Sequence, residues 1–280
     1  MRTNTGQILY IPKIGQRANL QHPLMKGCVG WWPLTDGGGG IAKDIVGTND
    51  GTQSGGVTWA DTELGRAASF DGVDDYLAFG TYSSFFPGPS ITGSISTWFK
   101  WFSGDVAMMG NQYTINERLY ISVYNGKWDI GFGDYLWNSN YTGTLVSAVS
   151  GEWTHIVVSI SSGVAKLYVN GSETITKTAD TSVSLGGQFS AGIYYYDGGP
   201  DSNWREPFEL QNVRVYTTAL SSNQVQQLYT NPWSGLSMPS ATRYFFVPQL
   251  ITASPKLFSV SGSSVSMRSN VGRVSVRAAR

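Results

Sequence analysis

Residues Arg66-Ala67-Ala68-Ser69-Phe70-Asp71-Gly72-Val73-Asp74-Asp75-Tyr76-Leu77 decide how this chain is read. Ala68 and Phe70 alternate with their neighbours, the mark of a strand that buries one face. Asp71-Gly72 follows, and Gly72 can take positive φ without a Cβ clash, so the pair reads as a tight hairpin turn. Asp74 and Asp75 then open a second strand at Tyr76. The expectation is a β-hairpin whose turn is lined by three carboxylates.

Working outward, Ser94-Ile95-Ser96-Thr97-Trp98-Phe99-Lys100-Trp101 alternates and is aromatic. Glu152-Trp153-Thr154-His155-Ile156-Val157-Val158 leads to Ala165-Lys166-Leu167-Tyr168-Val169-Asn170-Gly171, and Leu210-Gln211-Asn212-Val213-Arg214-Val215-Tyr216 runs into Ala219-Leu220-Ser221. Turn signals at Asn170-Gly171, Gly186-Gly187 and Gly198-Gly199 punctuate many short runs, which points to an antiparallel sandwich and not to βαβ units. The 34 glycines among 280 residues fit such a turn-rich fold. One helix stands out: Ser221 and Gln224 have capping-box spacing, with Val225, Leu228 and Tyr229 on one face.

These runs in this order, with Val29-Gly30-Trp31-Trp32-Pro33-Leu34 ahead of them, resemble the laminin-G-like, concanavalin A-like jelly-roll family over residues 29–231. The implied fold is all-β: an antiparallel jelly-roll sandwich with one short C-terminal helix and extended N- and C-terminal arms. The division read from the sequence is a basic arm at 1–28, the sandwich at 29–233, and a second basic arm with strand-like segments at 234–280. About 200 residues suffice to bury a core without disulfides. Cys28 is the single cysteine, so it forms no intrachain disulfide and reads as a small buried hydrophobe. Residues 1–16 have no apolar signal segment, and no run reaches the ~20 apolar residues of a membrane span, so little weight falls on the sequons at Asn140 and Asn170.

The net charge of zero conceals an asymmetry. All 19 carboxylates lie between Asp36 and Glu209 with eight basic residues, so this stretch carries −11 and the two ends +11. The ends also carry apolar anchors, such as Tyr10 near the start and Tyr244-Phe245-Phe246 after the sandwich. Residues 256–280 alternate apolar positions with Ser and Arg, a strand pattern outside the jelly roll. Strands without a sheet of their own tend to complete another. Two readings stay open: the arms wrap back on the acidic sandwich, or they dock on neighbouring subunits through Tyr10, Arg17, Tyr244, Phe245, Phe246, Arg268, Arg273 and Arg277. Nucleic acid is not the expected partner, because five basic residues over about 25 are dilute for that role.

Leu228-Tyr229-Thr230-Asn231-Pro232-Trp233 with Arg243-Tyr244-Phe245-Phe246-Val247-Pro248, and His22-Pro23-Leu24 before Val29, resemble the ends of laminin-G-like proteins of tailed bacteriophages. That resemblance implies a virion structural protein, a capsid decoration or a tail or fibre component, made in the host cytoplasm. Its partners would be other virion proteins and further copies of itself. The alternative is a carbohydrate-binding module for attachment to a cell surface. Glycan candidates are Tyr194, Tyr195, Tyr196, Asp197, Asn203 and Trp204, which put aromatic faces beside polar groups on one expected loop, and the run 135–141.

Catalysis is not expected. Retaining glycosidases need two carboxyl groups about 5–5.5 Å apart, and the Glu-x-Asp-x-x-Glu strand of the glucanase relatives is absent. His155 reads as scaffold and His22 as part of the arm. Gly37–Gly40 lacks the Lys of a phosphate loop. No cofactor is required, with one structural calcium ion as the sole candidate: Asp71, Asp74 and Asp75 could ligate it or merely shape the turn. Asp36, Asp44 and Asp50 are a weaker set. The resembled family has Gly-x-Ile-Asp-Glu-Val where this chain has Glu209-Leu210-Gln211-Asn212-Val213, so an acid-dependent site there is in doubt.

Overall fold

The alternating runs at 94–101, 153–161 and 208–216 pair side by side and form the centre of a sheet. The computed structural model describes residues 12, 15–87, 91–114, 117–132, 141–178, 187–196, 199–201, 205–237, 243–247, 256–261, 264–269 and 272–277. The backbone alone is described in strands 194–196 and 199–201 and in those after residue 237. Strands are numbered in chain order. The first sheet runs β11 (Tyr141–Gly143), β14 (Ser172–Thr178), β13 (Val164–Val169), β12 (Trp153–Ser161), β7 (Gly93–Trp101), β18 (Phe208–Tyr216), β5 (Gly65–Phe70), β4 (Thr58–Thr62), with β1 (Cys28–Trp32) also on β18. The second runs β10 (Lys127–Phe132), β9 (Glu117–Tyr124), β8 (Val106–Thr114), β15 (Gln188–Ala191), β6 (Tyr76–Thr81), β3 (Gly51–Ser54), β2 (Ile41–Ala42). β16 (Tyr194–Tyr196) joins it beside β8, and β17 (Gly199–Asp201) pairs with β16.

Period-two alternation sends Ile95 and Phe99, Ile156 and Val158, and Leu210 inward, where they meet Leu77, Phe79, Ile121 and Phe189 of the second sheet. Trp32 lies in this core with its ring centroid 4.7 Å from Phe79 and 5.7 Å from Phe85 of the short helix α1 (Tyr82–Phe85). Each large apolar side chain withdrawn from water contributes about 1.5–3 kcal/mol, so the sandwich needs no covalent staple.

The decisive stretch departs from the expected hairpin. β5 ends at Phe70 in the first sheet and β6 begins at Tyr76 in the second, so residues 71–75 carry the chain across the sandwich. The Asp75 carboxylate, buried at 4% exposure, accepts hydrogen bonds from the backbone N–H groups of Gly56 and Asp71 (3.0 Å). Asp71 Oδ1 accepts from Val73 N–H at 2.7 Å, a local Asx turn. Gly72 sits at φ 80°, and a Cβ there would lie 2.8 Å from the Glu206 carbonyl carbon. The glycine serves this close approach and not a two-residue turn. Asn170-Gly171 does close a hairpin, at φ 50° and 84°, between β13 and β14. Gly186 and Gly198 lie outside the described residues.

Helix α2 (Ser222–Thr230) has both bonds of the capping box at Ser221 and Gln224. Its Val225 and Leu228 cover Val157, Tyr168 and Tyr216 on the outer face of the first sheet, together with Leu24 and Leu220. From Ala18 onward the N-terminal segment wraps back on the same chain: Asn19 N–H donates to Gly235 O at 2.7 Å, and Met25, Trp31, Trp233 and Leu236 form a satellite cluster. Arg214, buried at 1% exposure, holds this seam with its guanidinium 3.7 Å from the Trp31 ring centroid and bonds to the Ser234 and Pro232 carbonyls.

The chain divides into two compact units, up to Leu236 and from Ser237 onward. The second corrects the notion of strands without a sheet: β19 (Arg243–Val247), β20 (Lys256–Ser261), β21 (Ser264–Ser269) and β22 (Gly272–Arg277) form an antiparallel meander of their own. Each alternating run pairs with its sequence neighbour, which the sequence reading did not consider.

Candidate functional site

The residues that β7, β12 and β18 turn away from the core create a patch of unusual chemistry on the outer face of the first sheet. Register places Trp153, Lys100 and Glu209 in one row across the three strands, and His155, Trp98 and Gln211 in the next. The second row is buried. Trp98 lies 5.1 Å from His155 and 5.9 Å from Tyr229, ring centroid to ring centroid, so Tyr229 of α2 roofs this floor. The first row is half-buried, and Lys100 spans it: Nζ is 3.6 Å from Glu209 Oε2, 3.8 Å from Glu63 Oε2, and about 6 Å from the Trp153 and Phe102 rings.

Among the described residues, Trp98 Nε1, Trp153 Nε1 and His155 Nδ1 are buried without a hydrogen-bond partner, and Glu209 Oε2 has only its ion pair with Lys100. A buried polar group left unmatched costs about 1–3 kcal/mol, and natural folds leave few of them. His155 Nε2 is 3.0 Å from Ser96 Oγ, and its backbone N–H donates to Asn170 Oδ1 at 2.9 Å. Burial, reinforced by the Arg214 charge, pushes the His155 pKa down to about 3, so the imidazole is neutral at physiological pH. Gln211 is matched: Nε2 donates to the carbonyls of Leu64 (3.2 Å) and Arg66 (2.5 Å). Asn212, at φ 57° in a bulge of β18, accepts from Trp31 Nε1 (2.7 Å) and donates to Pro232 O (2.6 Å). The two amides that replace acids in the resembled pattern therefore tie strands and chain ends together.

Asp71, Asp74 and Asp75 come together at the inter-sheet crossing, each offering one oxygen within 4.8 Å of the others, which suits a hard cation with additional carbonyl ligands. Asp75 already accepts two backbone N–H groups there, so the cluster shapes the crossing whatever it binds. Asp36, Asp44 and Asp50 do not gather in this way. Asp44 Oδ1 accepts from the N–H groups of Trp31, Val46 and Gly47, and Asp50 pairs with Lys43. Burial pushes the half-buried Asp36 carboxyl upward.

Tyr194, Tyr195 and Tyr196 lie on strand β16, not on an open loop, and pair across to Asp201, Pro200 and Gly199. Asp197, Asn203 and Trp204, and residues 135–140, fall outside the described residues. Tyr10 does too, while Arg17 is exposed. Tyr244, Phe245 and Phe246 lie on β19, Arg268 on β21, and Arg273 and Arg277 on β22. Cys28 is half-buried, and burial raises its thiol to about 12.

With the sandwich, its crossing and the seam in place, the kinship is direct. A family model described as the concanavalin A-like lectin/glucanases superfamily matches residues 71–226, more than half of the chain. The chain belongs to this superfamily. Among solved structures, this superfamily member is similar to domain 4 of AbnA, a GH43 extracellular arabinanase from Geobacillus stearothermophilus in complex with arabinotriose. That pair is 21% identical with a TM-score of 0.51, over 72% of this chain and 98% of the other. It is also similar to the receptor-binding domain of botulinum neurotoxin C/D mosaic serotype, with 13% identity, a TM-score of 0.56, and 89% and 72% of the two chains covered. Trypanosoma rangeli sialidase in complex with sialic acid shows 15% identity and a TM-score of 0.54, over 75% of this chain and about a third, 34%, of the sialidase. At these identities the likeness is one of fold. No curated protein matches the sequence.

The sequence reading treated 94–101 and 152–158 as scaffold and passed over the outer patch. Its signal was present in the outward parity of Trp98 and Trp153. A tryptophan in an alternating strand reads equally well as core until the partner strands are known.

Proposed function

We propose that this protein is a non-enzymatic carbohydrate-binding sandwich that serves as an attachment module of a larger particle. The observation that carries the binding half is the match of residues 71–226 to a family model described as lectin/glucanases, with the half-buried Trp153 beside Lys100 as an aromatic face near the surface of the first sheet. The arabinotriose bound to domain 4 of AbnA, which shares the fold along nearly its whole length, supports the same reading. Binding is favoured over catalysis because the two buried acids among the described residues have structural duties. Asp75 holds the crossing, and Asp129 pairs with Lys177 at 3.0 Å.

The particle half rests on sequence. The basic ends flank an acidic sandwich, and their motifs resemble those of tailed-bacteriophage structural proteins, which makes a capsid decoration or a tail or fibre component the natural setting. Other virion proteins and further copies of the chain would then be its partners. Incubating the full chain with a neutral oligosaccharide panel, with both binding and release of reducing ends monitored, tests the reading. Binding without hydrolysis is expected; hydrolysis, or no binding to any sugar, overturns it. Mass spectrometry of purified virions tests the setting: the chain is expected at structural copy number, and its absence from particles refutes the assignment.

A further inference from the structure

We infer that the C-terminal meander β19–β22 is one half of a β-sandwich, completed face to face by the same meander of a second copy of this chain. The pairing goes beyond the attachment reading and holds whether or not the chain sits in a particle. Register gives the meander two unlike faces. On one, Phe245, Phe258, Met267 and Val274 form the middle row across the four strands. Arg243, Val260, Val265 and Val276 form the row on one side of it, and Val247, Lys256, Ser269 and Gly272 the row on the other. The opposite face carries Tyr244, Ser259, Ser266 and Ser275 in one row and Phe246, Leu257, Arg268 and Arg273 in the next. A sheet with one apolar face needs a second layer to cover it. Among the described residues, this unit supplies these four strands and no other element.

The pattern of the apolar face selects its occupant. The two phenylalanines lie on β19 and β20, whereas β21 and β22 hold the slimmer Val, Met and Gly positions. A two-fold axis running along the strands sets β19 of one copy over β22 of the other, and β20 over β21. Phe245 then lies opposite Val274, Phe258 opposite Met267 and Val247 opposite Gly272, bulky over slim, as interdigitating layers require. The operation closes on itself, so every contact is made twice. The cations agree with it. Arg243 and Lys256 are the first residues of β19 and β20, at the rim of the face, and fall opposite Val276 and Ser269 instead of each other. Residues 237–280 hold six basic residues and no acid, yet the middle row of this face has no charge, so it is not built for an acidic partner. Two phenylalanines at about 150–250 Å² each, with six further apolar positions, bring each face near the ~800 Å² per partner of a stable interface.

The test is sedimentation velocity of the full chain over a dilution series. Met267→Arg alters the middle row of the apolar face, Met267→Leu is its conservative counterpart, and Ser266→Arg puts the same charge on the opposite face. Wild type, Met267→Leu and Ser266→Arg should be dimers. Met267→Arg should self-associate at least about a hundredfold more weakly, because an unpaired charge would be buried between the layers. Cross-linking of the wild type through amines gives an independent reading. Sheets ~10 Å apart with strands ~4.8 Å apart put the two copies' Lys256 backbones about 11 Å from each other, and a link from Lys256 to Lys256 can join only two copies. That link is expected in the dimer, and its absence refutes the face-to-face arrangement. A wild type that stays monomeric at every concentration refutes the pairing, and protected β20 and β21 amides in that monomer would show the face covered by its own chain. A trimer or larger assembly refutes the two-fold. A dimer that survives Met267→Arg, or one lost equally in Ser266→Arg, refutes the assignment of the contact to this face.

Discussion

Lowering the pH puts one buried side chain under test. His155 is 1% exposed, packed against Trp98 and Tyr229, with Ser96 on its ring and Arg214 as the charged group acting on it. Its pKa is pushed down to about 3, whereas the unfolded chain titrates at the ordinary 6.5. The unfolded state therefore takes up a proton below pH 6.5 that the folded state refuses. The stability tied to neutral His155 is fully present above 6.5 and is lost as pH falls toward 3. The slope is about 1.4 kcal/mol per pH unit, so going from about pH 7.5 to about pH 5.0 removes about 2 kcal/mol. Urea unfolding of the wild type and of His155→Gln at both pH values isolates this contribution, because the carboxylates are common to the two proteins. The variant should be less stable at the higher pH and lose about 2 kcal/mol less on acidification. An equal pH dependence in the two proteins would refute the account of a buried, neutral His155.

Other consequences follow from particular contacts. Asp75→Ala leaves the N–H groups of Gly56 and Asp71 without their acceptor, at about 1–3 kcal/mol each; calorimetry should show a fall in Tm of roughly 5–15 °C. The turn-shaping role of Asp71, Asp74 and Asp75 predicts no change in Tm on adding EDTA, and a fall reversed by calcium would establish the cluster as an ion site instead. With its pKa near 12, the half-buried Cys28 thiol is about one part in ten thousand ionised at about pH 8; iodoacetamide should label the native protein far more slowly than the denatured chain, and equal rates contradict the raised pKa. Removing residues 237–280, a separate compact unit, should leave a cooperatively folding sandwich and, under the proposed virion setting, abolish its incorporation into particles. Normal incorporation would dismiss the assembly role.

Much of the fold is legible in local pattern. Alternation marks β7, β12, β13 and β18, and the Ser221 and Gln224 spacing marks the start of α2, because in each case the physical cause lies within a few residues. What escapes is whatever depends on the partner. Asp71-Gly72 has the local chemistry of a hairpin, yet whether the next strand returns to the same sheet or crosses depends on Gly56 and Asp75, 19 residues apart. Residues 256–277 looked like strands in search of a sheet because their partners are one another. The outer patch was hidden for the same reason: Trp98, Trp153 and Glu209 are 111 residues apart at the extremes and meet only through the pairing of three strands.

The central claim is the proposed one, that this sandwich binds a carbohydrate without cleaving it. Calorimetric titration of the full chain with a panel of neutral oligosaccharides tests it most directly. The account predicts saturable heat with at least one of them and intact sugar recovered afterwards. No binding to any of them, or cleaved sugar in the cell, would contradict it.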